Sequence, residues 1–470
     1  MKPLLASICV GLGIFVMCRL DRDKSARISK ALWIPLAWLL IGSSRPVTEW
    51  LQTGIVQGSS YEEGSPLDRT ILIILIMLGL FIISKRGSQV KAILRLNWPI
   101  IIFFIYCLIS MVWSDFPFVT LKRWFRAVGD VVMILVVITD PYWEVGLKWT
   151  LRRIAFLLIP LSVLIIKFFP EYGRSYTATG AQMWTGVCTD KNGLGAVCMV
   201  FGTALLWQFL PVSSGPESKT VWSRERLAQA SVLAMTLYLV WVIDSKTALM
   251  CFLLANTLIF ITWLGPRFRR PAFLTTVVAG MIFGCFCVLF LGVDSGALQA
   301  IGRRSDLTGR TEIWATVLPL VKNPVLGTGY EDFWMGDRIE YVARNLALLN
   351  QAHNGYLEIY LNLGWVGLIL LGAIIVTGYR NIIATFRSNI DTARLKIVFF
   401  MMCLIYNFTE ATFKMQSPVW ICFLWAAMAV PISRRSRGST NQGDGTTTVV
   451  TNETVSSWHS VLTTQSASMF

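Results

Sequence analysis

Thirteen apolar runs recur along the chain, near residues 4–18, 31–44, 69–84, 98–113, 127–139, 151–169, 193–210, 227–243, 247–264, 272–293, 356–378, 395–409 and 418–432. No other feature restricts the fold as tightly. A helix needs about 20 mostly apolar residues to cross roughly 30 Å of hydrocarbon, and in lipid its backbone groups must pair within the segment. So many runs in 470 residues leave room for a membrane bundle and one modest extramembrane region, not for a water-soluble core. Only 15% of the residues are charged, against about 25% in ordinary globular chains. The expected fold is an all-α polytopic membrane protein of about 12–13 transmembrane helices with one large extracytoplasmic helical loop. Its expected parts are a transmembrane bundle of about ten helices over 1–293, the loop over 294–355, C-terminal transmembrane helices over 356–433 and a disordered cytoplasmic tail over 434–470. No small-residue cleavage site follows residues 4–18, so that run reads as the first span.

The net charge of +15 does not point to nucleic acid, because the basic residues sit in short clusters between apolar runs. Such clusters write topology: the strongly basic side of a membrane protein faces the cytoplasm. The connections 19–30, 85–97, 148–153, 219–226, 267–270 and 380–396 alternate and collect nearly all the strong clusters. The chain then starts outside and ends inside. One cluster disagrees. Lys122, Arg123 and Arg126 fall on the outer side, just before a short span containing Asp130, either as a topology exception or as a site for something anionic. The ten cysteines lie mostly within apolar runs and form neither a disulfide framework nor a zinc spacing, which leaves them as small buried hydrophobes.

The single long connection, 294–355, falls on the outer side, and loops of that length are functional or disordered. Residues 309–322 place Ile313, Val317 and Leu320 on one helical face, and Asn323-Pro324 then breaks the helix. A small helical cap on the outer surface is therefore expected. Three groups in and around it carry candidate chemistry. His353, before the next span, is either a base titrating near neutral pH or an interfacial histidine bonded to a neighbour. Arg303, Arg304, Arg310, Arg338 and Arg344 put positive charge where topology does not ask for it, as phosphate ligands or as a solvated loop face. Asp190, Lys191 and Asn192 open an otherwise apolar span, as a site or as a cap at the interface. Asp130, Lys167 and the Asp244–Lys246 pair are weaker candidates of the same kind. No nucleotide-binding loop, HExxH, nucleophile elbow or paired acidic metal site occurs, which favours substrates that arrive already activated.

In order, Asp190-Lys191-Asn192-Gly193-Leu194-Gly195, Gly309-Arg310-Thr311-Glu312-Ile313-Trp314, Asn323-Pro324-Val325-Leu326-Gly327-Thr328-Gly329 and His353-Asn354 followed by Leu361-Asn362-Leu363-Gly364-Trp365-Val366-Gly367 resemble the O-antigen ligase and polymerase family, particularly its exopolysaccharide-polymerase branch. The specific part covers roughly residues 305–370; elsewhere the likeness is one of hydropathy. The resemblance implies transfer of a glycan from a polyprenyl-diphosphate carrier to an acceptor sugar hydroxyl, without a metal or other cofactor, in a bacterial inner membrane and facing the periplasm. It implies His353 and Arg310 as catalytic residues, with Lys191, Asn192, Arg303, Arg304 and Asn354 binding substrate. Relatives are expected to carry a further basic residue near the position of Thr185, for which Arg174 is the nearest substitute. Implied partners are the lipid-linked donor, the glycan acceptor, membrane lipid and other polysaccharide-assembly proteins, with no nucleic acid. A transporter or flippase of lipid-linked oligosaccharides is the competing reading, though the chain shows no internal repeat. A structural scaffold would leave His353 and Arg310 without purpose.

Overall fold

The computed structural model describes residues 3–21, 28–52, 65–176, 180–212, 224–290, 310–346 and 349–431. Arg303, Arg304 and the expected tail over 434–470 lie outside the described residues. Every apolar run overlaps a helix. In chain order these are α1 (Pro3–Leu20), α2 (Trp33–Gly42), α3 (Pro66–Ser84), α4 (Trp98–Ile109), α5 (Pro117–Ile138), α6 (Trp143–Phe168), α7 (Lys191–Phe209), α8 (Arg224–Ile243), α9 (Lys246–Leu264), α10 (Pro271–Phe290), α11 (Gly355–Thr385), α12 (Ile390–Tyr406) and α13 (Pro418–Ala427). The chain is an all-α polytopic membrane protein.

Fewer of these helices than of the apolar runs are long and apolar enough to span alone. Among the described residues, seven helices are long and apolar enough to cross a membrane alone, namely α1, α3 and α7 to α11. An eighth span arises if Gly87–Leu96 and Trp98–Val112, bent by 89°, count as one. The other runs form helices that fall short for physical reasons. α2 and α13 have 10 residues each and α12 has 17. α5 and α6 have 22 and 26 residues but carry several charged side chains that the bundle itself must satisfy.

α7 is central, buried along most of its length, whereas α1 and α3 expose most of theirs. Small residues let its neighbours approach, as lipid offers no hydrophobic force to bring helices together. At Gly195 an added Cβ would meet the Ala248 Cβ of α9 at 2.7 Å. At one end of the bundle, Arg152 pairs with Asp21 at 2.7 Å and with Glu225, joining three of the basic connections. Arg394, wholly buried at the same end, donates to Thr262 Oγ1 and Ile259 O at 2.9 Å and to Leu210 O at 3.0 Å. Asp130 proves to be a clasp. It accepts from Trp38 Nε1 of α2 at 2.8 Å and from Gln416 N at 3.0 Å, tying α5 to the segment that enters α13.

The opposite end carries the cap. Its helix Arg310–Val317, continued by a 3-10 turn Leu318–Leu320, buries Ile313 and Val317 against Phe333, Trp334 and Val342. A second helix, Gly336–Asn345, and a two-stranded hairpin pairing Arg174–Tyr176 with Gln182–Trp184 were not anticipated. Arg338 belongs to the cap's frame, pairing with Asp115 and with Asp332 Oδ2 at 3.3 Å. Burial raises the Asp332 carboxyl's pKa while Arg338 opposes the shift.

The turn at 323–329 plugs a break in α11. Asn323 Oδ1 accepts from Val325 N at 3.0 Å and Leu326 N at 3.1 Å, which folds the turn on itself. Across the break, Gly329 N donates to Asn362 O at 2.8 Å and Trp365 N to Pro324 O at 2.9 Å. α11 interrupts itself at Gly364, with φ 63°, and an added Cβ there would stand 2.3 Å from Val325 O. Only glycine meets both demands. Gly364→Ala is therefore expected to cost about 2 kcal/mol or more, seen as a lower unfolding midpoint of the purified protein in detergent. Gly372→Ala on the same helix, with open space around the added Cβ, is expected to unfold with wild type.

Candidate active site

Four segments far apart in sequence meet at the cap end of the bundle. Asp190 caps α7, its Oδ1 accepting from Gly193 N at 2.9 Å, so the residues after it start the first turn at a fixed height. There Asn192 is held by Tyr406 OH, which donates to its backbone oxygen at 3.1 Å, and by Ser245 Oγ, which donates to its Oδ1 at 3.2 Å. Arg310 is the first residue of the cap helix. His353 takes φ 51°, a left-handed conformation that costs a branched or bulky side chain free energy. It is held there from both sides. Glu358 accepts from Ala352 N, and Asn354 caps α11 by accepting from Tyr356 N and Leu357 N at 3.0 Å each.

Glu410 is the point on which these segments converge. It lies just past α12, buried at 4% exposure. Arg310 Nη2 donates to its Oε1 at 2.9 Å, Asn192 Nδ2 donates to its Oε2 at 3.1 Å, and His353 Nδ1 stands 3.4 Å from that same Oε2. A buried ion pair offsets its desolvation only when the remaining lone pairs are also satisfied, and Asn192 and His353 do this for Glu410. An ion-paired carboxylate is an acceptor only, so Nδ1 must carry the proton and donate it. That tautomer leaves the lone pair on Nε2, where a base needs it.

A cavity of about 1180 Å³ lies against this cluster. Asn192, Tyr406 and Glu410 line it on one side, and Lys122, Arg126 and Arg69 line it elsewhere. His353 and Arg310 are not among the residues that line it; they touch Glu410, which does. Lys191 is half-buried and makes no ion pair among the described residues. Asn354 spends its side chain on the cap of α11. Arg174 is directed away from the cluster: its Nε and Nη2 donate to Ile166 O at 3.2 and 3.1 Å, and its guanidinium stacks over Trp184. The basic neighbour of Thr185 is Arg45 instead, whose Nη2 donates to Thr185 Oγ1 at 3.2 Å and to Cys188 O at 2.9 Å.

Of the weaker candidates, Lys167 lies over the Tyr238 ring, and Asp244 and Lys246 form an ion pair of 2.9 Å at the surface. Sequence reading passed over Glu410. Its signal was available, since an acidic residue in the eight-residue link 410–417 between two apolar runs is costly beside a membrane and is a candidate site for that reason.

Removing Glu410 strands a buried guanidinium. Glu410→Ala is expected to destabilise the protein by about 3–5 kcal/mol. Combined with Arg310→Ala, the double variant should recover about 1–3 kcal/mol of the summed single costs. Unfolding of the four proteins in one detergent checks this, and strictly additive costs would contradict a direct pair.

Residues 221–372 match the profile of the O-antigen ligase family, a stretch that includes Arg310, His353 and Asn354 but neither Asn192 nor Glu410. Among curated proteins, the exopolysaccharide production protein ExoQ of Rhizobium meliloti (strain 1021) is 27% identical over 190 residues. That alignment covers 38% of this chain and 43% of the relative, so the chain spans less than half of the relative's length. The cap, the break in α11 and His353 all fall within the matched residues, and over this stretch the chain, a multi-pass membrane protein, is similar to the O-antigen ligase family and to that exopolysaccharide production protein.

Proposed function

We propose that this protein is a glycosyltransferase of polysaccharide assembly that moves a glycan from a polyprenyl-diphosphate carrier to an acceptor sugar hydroxyl. The observation that carries the reading is the convergence of Arg310, Asn192 and His353 on the buried carboxylate of Glu410 beside a large cavity. The acceptor oxygen forms its bond to the anomeric carbon as the bond from that carbon to the diphosphate oxygen breaks. The acceptor proton passes to His353 Nε2, which the acceptor meets at the part of the imidazole left exposed (23%) beside Glu410 and not on the cavity wall itself. The electron pair leaves with the prenyl diphosphate, which is a good leaving group and needs charge stabilisation rather than a proton.

Each neighbour then has a task. Glu410 holds the proton on Nδ1 and stabilises the imidazolium as it forms. Arg310, committed to Glu410 by its ion pair, fixes the carboxylate that fixes the imidazole. Asn192 presents its amide at the cavity wall and ties α7 to the same carboxylate. In this reading the site faces outward from a bacterial inner membrane, which is supported by the alternation of basic connections, three of which meet at the other end of the bundle. Polymerisation of lipid-linked repeat units is favoured over ligation by the likeness to an exopolysaccharide production protein. A flippase of lipid-linked sugars is less favoured because the chain shows no internal repeat of the kind many transporters are built from.

His353→Ala, made in the native host at unchanged membrane abundance, is expected to lower polymer formation by at least about 100-fold. Single repeat units should accumulate on the carrier at the outer face. Normal polymer would remove His353 from the chemistry, and repeat units stranded on the inner face would turn the reading toward transport.

A further inference from the structure

One sequence anomaly is not used by the chemistry above. Lys122, Arg123 and Arg126 occupy the first turns of α5, at the cap end where topology does not call for them. Arg123 is occupied, donating to the Glu331 carbonyl. Lys122 and Arg126 make no hydrogen bond or ion pair among the described residues, and neither does the side chain of Arg69 on the facing helix α3. All of them border the cavity. Acidic groups border it too: Glu49 and Glu410 are already paired, with Arg45 and Arg310, Asp190 caps α7, and Asp68 and Glu331 act electrostatically on Arg126. Thr48 donates to Asp68 through both its backbone N and its hydroxyl. The five basic side chains on the wall, Arg69, Lys122, Arg123, Arg126 and Lys414, still exceed by two the three bordering acids that make no ion pair among the described residues, Asp68, Asp190 and Glu331.

The same wall changes character with depth. Arg69, Leu72, Ile73, Ile76, Met77 and Leu80 border the cavity at the spacing of one helical face. At 1.5 Å per residue they form a strip of roughly 16 Å along α3. It is charged at the cap end and purely hydrocarbon beyond. Ile73, Met77 and, across the gap, Phe125 are 53%, 60% and 55% exposed, so the trough opens sideways from the bundle and is not filled by protein. Deeper in, the two helices close on each other where Gly79 lies against Val132.

We propose that the trough between α3 and α5 is the lateral entry and holding site for the carrier lipid of the donor. Its diphosphate sits among Lys122, Arg126 and Arg69, and its isoprenoid chain lies along the apolar face of α3. This rests on the functional reading above and adds to it which surface takes the lipid and from which side it enters. The occupant must combine a compact multivalent anion with a long hydrocarbon tail that begins at the same depth, which is the order of groups on this wall. A diphosphate held there lies in the cavity that Asn192 and Glu410 also border, so the attached sugar can meet them without the carrier leaving its trough. Charge-assisted contacts from guanidinium and ammonium groups suit such an anion.

The test is equilibrium binding of undecaprenyl diphosphate to the full-length protein in nanodiscs, with cardiolipin as the competing anionic lipid. Lys122→Gln/Arg126→Gln is expected to weaken undecaprenyl diphosphate binding by about tenfold or more. Met77→Trp, which fills the trough without touching charge, should weaken it as well. Lys85→Ala, at the other end of α3, should not. A carrier bearing a photoreactive group on a distal isoprene should label α3. Unchanged affinity in both trough variants, or labelling confined to other helices, overturns the proposal. So does equal loss of cardiolipin and undecaprenyl diphosphate with no preference between them in wild type, which would make the trough a general phospholipid contact. His353→Ala separates the two readings. It should bind carrier as wild type does, so normal polymer from that variant would strike the catalytic reading and leave the lipid site standing.

Discussion

A single buried carboxylate organises the cap end of this protein. Placing Glu410 out of water is costly unless its charge and lone pairs are met, and the chain meets them from α7, the cap helix and the entrance to α11. None of these segments is near another in sequence. Each contributes a polar group that would itself be expensive at the membrane boundary without Glu410. The interaction is therefore mutual, and it explains why a helix bundle whose middle is held by small residues and apolar contact has a polar, fixed end.

Around that carboxylate the backbone is held in unfavourable geometry by packing elsewhere. His353 has a left-handed φ of 51° and Gly364 breaks α11 at φ 63°. The two are connected. The turn at 323–329 plugs the break in α11, Tyr106 OH donates to Leu326 O and Leu363 O on either side of it, and the first turns of α11 then carry Glu358, which holds the residue before His353. Motifs that look like separate short matches in the sequence are thus two halves of one lock. Strain of this kind persists at functional sites because the surroundings over-determine it.

The membrane class, the thirteen helical runs and the cap helix were legible because each rests on a local rule, apolar length or 3.6-residue periodicity. Which helices are apolar enough to span alone was not, since α5 and α6 read as partly apolar runs, yet they carry Asp130, Arg152 and Arg153, which meet Trp38, Asp21 and the Cys18 carbonyl within the bundle. Asn192, Arg310 and His353 stand out as candidates by residue type and position, and the structure gathers them on one carboxylate. The carboxylate that joins them was missed because its link resembled an ordinary connection. Arg174 was favoured by its closeness in sequence to Thr185, but the hairpin sends it to Ile166 O, while Arg45 arrives at Thr185 from 140 residues away. Spatial neighbours supplied by distant segments are what a single sequence conceals.

The central claim is that this chain alone joins glycans at the Glu410-centred cavity. The direct measurement is reconstitution of the purified protein into liposomes with a synthetic polyprenyl-diphosphate repeat unit and no other protein. Product length and released prenyl diphosphate are followed together, for wild type and for Glu410→Gln. The account predicts extended glycan with one prenyl diphosphate released per bond formed, and a large loss of rate in Glu410→Gln with donor still bound. Movement of intact donor across the bilayer with no longer product, in protein shown to be folded, would contradict it.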